Sequence, residues 1–152
     1  MITEIEKIFK KMLEEIVIDY KLLSVKGNPK EITVFRGIMP YEKEGELIPA
    51  ISLRANKGIN TLEKRELNIQ VILETFNQDS EIGYDEHLEI IQKIIDNITQ
   101  KGVIENIAEI LPTVEWEFSE EETYPYFATK IIFKIISRKS YRTDVDTWIN
   151  GE

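Results

Sequence analysis

With 152 residues, 42% hydrophobic and 31% charged, the chain has the composition of one globular domain and not of a disordered polymer. It has no cysteine, which excludes disulfides and thiolate metal sites, and a single histidine, His87. A formal charge of −9, from 19 basic and 28 acidic residues, disfavours a grip on phosphate backbones, yet an acidic wall past which DNA slides is compatible with it.

Ile2, Ile5, Phe9, Met12 and Ile16 recur at spacings of three and four, which predicts an amphipathic first helix. Thr3 and Glu6 fit a capping box at its start, and Gly27-Asn28-Pro29 predicts a stop near Ser24. The acidic opening lacks the basic start and apolar core of a secretory signal, and no apolar run approaches the ~20 residues of a membrane span. The chain is therefore expected to stay in the compartment where it is made, away from membranes.

Glu31 to Arg36 reads as a strand ending at Gly37, and Pro49 to Arg54 as a second one after a charged loop. In Arg65–Glu74, Leu67, Ile69, Val71 and Leu73 take every second place, so one face meets a core and the other carries Glu66, Asn68, Gln70, Ile72 and Glu74. Asp85 is read as the cap of a second helix, with Leu88, Ile91, Ile95 and Ile98 on one side and a stop at Lys101-Gly102. After Pro112, Val114, Trp116 and Phe118 alternate with polar residues. Ile131, Phe133 and Ile135 do the same in the last strand, with Ile132 and Ile136 on its other face. The connection between these two strands is too short for a helical crossover, which predicts an antiparallel hairpin.

The resulting expectation is an α+β two-layer sandwich, an antiparallel or mixed sheet with two helices on one face, in the order α-β-β-β-α-β-β. Residues 1–139 form the single domain. The tail 140–152, which holds Trp148, lacks periodicity and is read as mobile or docking on a neighbouring subunit.

Chemistry is sparse in this pattern. Asp85, Glu86, His87 and Glu89 could suggest a metal site, but acids near a helix start are expected as a solvated face. No Gly-x-Ser-x-Gly turn or Gly-rich phosphate loop occurs, and the glycines read as turn residues at element boundaries. Glu115 and Glu117, about 6 to 7 Å apart on one strand face, could form an acid/base pair but read as the polar half of an alternating strand. No catalytic residue, cofactor site or metal site is assigned.

Contact features are easier to find. Ile72, Ile132 and Ile136 fall on the sheet face away from the helices, where a contiguous apolar patch would predict association. Tyr124-Pro125-Tyr126-Phe127 concentrates rigid aromatic surface beside an acidic turn containing Glu120, Glu121 and Glu122. Its alternative use is local packing over the sheet end.

The order of elements, the strand and helix Leu67–Val71 to Leu88–Ile91, and the hairpin with Trp116-Glu117-Phe118 and Tyr124 to Lys130 resemble the tail terminator (tail completion) proteins of long-tailed bacteriophages and prophages. The resemblance covers the chain from the first helix through Ile136 and includes no catalytic signature. It implies a non-enzymatic homohexameric ring that ends tail-tube polymerisation, made in the bacterial host cytoplasm and resident in the virion tail. The implied partners are the chain itself, a tail tube protein and a head-completion or neck protein, with DNA passing through without specific binding. Carried onto this sequence, it puts Ile72, Tyr124, Tyr126, Phe127, Ile132 and Ile136 at or near contacts, and Glu120, Glu121 and Glu122 on a lumen or acidic surface, while Trp148, in the charged tail beyond the resemblance, reads as a further contact anchor. Competing expectations are a head-tail connector or neck protein, a small cytoplasmic enzyme with a carboxylate or divalent-metal site, and a monomeric peptide-binding module.

Overall fold

In the computed structural model, which describes residues 2–39, 46–119 and 124–138, helix α1 spans Ile2–Val17 and buries Ile5, Phe9, Met12, Leu13 and Val17. The helix ends seven residues before Ser24. Its continuation is a small antiparallel ribbon of β1 (Lys21–Leu23) and β2 (Pro29–Glu31), which turns through Gly27 at φ +88°. Glu6 does not close a capping box, because α1 begins before Thr3. Its carboxylate instead pairs with Arg36 at 3.1 Å and accepts the Ala55 backbone N–H at 2.8 Å.

The main sheet contains β3 (Thr33–Arg36), β4 (Ala50–Asn60), β5 (Lys64–Phe76), β6 (Val103–Ile104), β7 (Ala108–Phe118) and β8 (Tyr126–Arg138). Their spatial order is β3-β4-β5-β8-β7-β6, with β3 parallel to β4 and every other neighbour antiparallel. Helix α2 (Ser80–Lys101) joins β5 to β6.

This arrangement corrects the expected fold. The described residues form two helices and eight strands, in the order α-β-β-β-β-β-α-β-β-β, and the sheet curls into a half-barrel instead of lying flat in a two-layer sandwich. Strands of 11 and 13 residues accumulate right-handed twist. The pairing also shifts register between Ala55 and Lys57 and between Ile110 and Val114, and such bulges bend the strands further. Pro112 lies within the second shift. A proline cannot donate to the ladder, so β7 continues past it only as an irregularity, beginning at Ala108 and not after Pro112.

The alternation in β5 sorts as its sequence predicts: Leu67, Ile69, Val71 and Leu73 are buried, beside Ile131, Phe133 and Ile135 of β8. These residues share one core with Ile51 and Leu53 of β4, Phe9 of α1 and Ile90, Ile94 and Ile98 of α2. The Phe9 and Phe133 rings meet at 5.3 Å. Each such fully buried side chain contributes roughly 1.5–3 kcal/mol of transfer free energy, which fixes both helices to this face. No helix among the described residues is long and apolar enough to cross a membrane.

Helix α2 starts earlier than its sequence suggests. Asp79, not Asp85, is the N-cap, and its carboxylate accepts the backbone N–H groups of Glu81 and Ile82 at 3.1 and 2.9 Å. The six extra residues include Gly83, which joins the buried stripe of His87, Ile90, Ile91, Ile94 and Ile98. Gly102, at φ +70°, closes the helix by donating its N–H to the Ile98 carbonyl.

Candidate interaction surface

The ladder registers define the sheet face opposite the helices row by row. Ile72 of β5 lies between Ser52 of β4 and Lys130 of β8, and Lys130 faces Glu117 of β7. In the next row Arg54, Gln70, Ile132 and Glu115 follow one another, and further along Ile59, Glu66, Ile136 and Glu109. Ile72, Ile132 and Ile136 are each half-buried. Ile72 and Ile132 are diagonal neighbours, about 7–8 Å apart by backbone geometry. Ile136 is separated from them by Lys134, whose ammonium lies 3.8 Å from Glu115. This face therefore presents isoleucines set singly in a polar lattice, not one unbroken apolar stripe.

Shallow depressions surround these side chains. Ile72 borders one of about 380 Å³ shared with Ile38, Met39 and Glu74, while Ile132 borders one of about 310 Å³ between Glu115, Glu117 and Lys130. Burial raises the Glu74 carboxyl above the usual carboxylate range. An open depression of about 610 Å³ lies at the opposite end of the sheet between Glu63, Lys64, Glu105, Glu109 and Ile136. No group of three or more His, Asp or Glu among the described residues is arranged to hold a metal ion.

The aromatic hairpin closes the end of the sheet. Tyr124, 58% exposed, donates its hydroxyl hydrogen to the Gln78 carbonyl, and the Pro125 carbonyl accepts the Asn77 N–H at 3.0 Å. Tyr126 is half-buried with its ring 5.4 Å from Phe76. Phe127 is buried within its own protomer against Gly83, where an added Cβ would lie 2.7 Å from the ring. Thus Gly83 is not a boundary turn residue: it sits inside α2, where only a hydrogen leaves room for Phe127. Glu120, Glu121, Glu122 and Trp148 lie outside the described residues.

His87 is also placed differently from the solvated acidic stretch expected around it. It has no exposed surface, and its ring nitrogens meet the hydroxyls of Thr75 at 2.7 Å and Thr129 at 2.8 Å. Phe118 lies edge-on at 5.3 Å, with Phe127 at 6.1 Å. Burial pushes the imidazole down to about 4, so at pH 7 it is neutral, with one nitrogen donating and the other accepting. Asp85 and Glu89 remain exposed and do not join it. Glu86 is half-buried, its carboxyl raised first by burial and then by the charge of Glu89.

The β7 edge was not legible as a contact feature. Beyond its short pairing with β6, β7 carries Trp116, 51% exposed, with Glu115 and Glu117 exposed on the other face. The alternation of Val114, Trp116 and Phe118 with polar residues does not indicate that Trp116 lies at the sheet margin.

No protein-family model matches the chain, and no curated protein matches it by sequence.

Proposed function

We propose that the chain is a structural protein of phage or prophage tail assembly, forming a ring that ends tail-tube polymerisation and prepares the tail for head joining. The observation that carries this reading is the asymmetry of the sheet. Both helices pack on one face, while the opposite face offers accessible Ile72, Ile132 and Ile136 among charged neighbours. A ring that caps a tube needs, besides the two different patches that close it, a further face for the tube, and a wide, curled sheet with one such face can supply it. The net charge of −9 favours passage of DNA over adhesion.

The test is to add purified protein to growing tail tubes and image them. Discrete rings at one tube end and arrested elongation are the expected result. Binding to an isolated connector but not to tubes would favour the neck-protein alternative, and binding to neither would overturn both assembly roles.

A further inference from the structure

We infer that the open edge of β7 pairs with the open edge of β4 in a second copy of this chain, with Trp116 opposite Gly58 and Glu117 opposite Lys57. This specifies the subunit contact of the proposed ring and rests on that reading.

Among the described residues, both margins of the main sheet are only partly covered. On one side β3 reaches only residues 50–53 of β4, which runs on to Asn60. On the other, β6 pairs with only residues 108–109 of β7, which runs on to Phe118. The two bare stretches lie at opposite ends of the sheet. Each copy therefore has a notch on either margin, and a staggered neighbour fits the covered part of one margin beside the bare part of the other.

The direction of the backbone groups fixes the register. Antiparallel strands turn alternate residues toward alternate sides. The Ser119 N–H donates to the Ala128 carbonyl, so residues 119, 117 and 115 face β8, while Phe118, Trp116 and Val114 turn their N–H and C=O toward the open margin. In β4 the Thr61 N–H donates to the Lys64 carbonyl. By the same alternation Ile59 and Lys57 face β5, while Asn60 and Gly58 face outward. Antiparallel pairing with Trp116 opposite Gly58 therefore matches donor to acceptor, and Val114 then falls opposite Asn60.

The side chains agree with this register. Trp116 and Gly58 lie on the helix side of their sheets, opposite Ile131 and Leu67 respectively. A half-exposed indole would meet a residue with no side chain. Gly58 is demanded by its own sheet as well, since a Cβ there would lie 3.0 Å from the Glu66 carbonyl oxygen. On the outer face the Lys57 ammonium meets the Glu117 carboxylate, an opposite-charge pair that cross-strand geometry favours. The contact is limited to Lys57–Asn60 because the Ala55 N–H is already taken by Glu6 and the register shift follows it. It is heterologous, one margin meeting a different one, as a ring requires.

The chain has no cysteine, which permits a direct test. In one chain Lys57 and Glu117 are separated by three strand spacings, roughly 14 Å across the sheet, and by four residues along β8 as well, too far for an internal disulfide. Across the inferred contact they form a non-hydrogen-bonded pair with Cα atoms about 4.5 Å apart, within disulfide range. Oxidation of a Lys57→Cys/Glu117→Cys variant is expected to give a ladder of linked dimers, trimers and higher species, whereas a mixture of the two single variants gives no species beyond dimer. Asn60→Cys/Glu117→Cys is expected to remain unlinked, and preferential linking there would overturn the register. Lys57→Glu should weaken association about five-fold, with Glu117→Lys restoring it. An oligomer that forms without linking at 57 and 117 would overturn the edge contact and leave the ring reading intact. A monomer at every concentration, with or without tail tubes, would overturn both.

Discussion

The buried histidine makes a quantitative prediction. His87 titrates near 6.5 when unfolded and at about 4 in the folded chain, so the imidazole is neutral in both states above pH 6.5 and has no linked effect there. As the pH falls below 6.5 the unfolded state takes up a proton that the native state refuses, and stability declines until the folded value is reached. The interval corresponds to about 3 kcal/mol at roughly 1.4 kcal/mol per pH unit. A His87→Gln variant retains a donor and an acceptor near Thr75 and Thr129 but cannot titrate. Urea unfolding of both proteins from pH 7.5 to 4 isolates the contribution, because carboxylate titration is shared. Wild-type protein is expected to lose about 3 kcal/mol more than the variant over this interval. As the chain has one histidine, its imidazole resonances can be followed directly by NMR. A midpoint near 6.5 in the folded protein, or identical pH slopes for the two chains, would refute the description of His87 as a sealed, neutral core residue.

Gly83→Ala should destabilise the fold by about 1–3 kcal/mol in urea unfolding, despite alanine's better helix propensity, because its Cβ would approach Asn77 Cβ and Phe127 at 2.7 Å. Asp79→Ala removes the acceptor of two backbone N–H groups and should cost about 1 kcal/mol by the same assay, with Asp79→Ser recovering most of it. Ile132→Asp should abolish capping of tail tubes while the native mass and the far-ultraviolet circular dichroism stay unchanged, since this side chain borders an open depression on the outer face, away from the inferred strand pairing. Unaltered capping of tubes would remove Ile132 from the partner contact.

The central strands were legible because their sequence period coincides with the burial period. Leu67 to Leu73 and Ile131 to Ile135 alternate over enough residues to identify the covered face, and the β7–β8 hairpin follows from the short connection between them. The remainder depends on tertiary context. Asn56-Lys57-Gly58-Ile59-Asn60 has little strand propensity, and becomes β4 because the neighbouring β5 supplies a complete ladder. Curling arises from strand length and two register shifts, neither of which alternation encodes. His87 looked solvated because acids surround it in sequence, yet it stands three and four residues before Ile90 and Ile91 and so falls on the buried stripe of α2. Ile72, Ile132 and Ile136 were correctly separated from the covered residues, but their spacing as a patch depends on the β5–β8 register.

Native mass in solution tests assembly most directly. Light scattering coupled to size exclusion, repeated over increasing concentration and in the presence of tail tubes, should give a discrete closed species of six times the protomer mass. A single protomer mass under all these conditions would contradict the account.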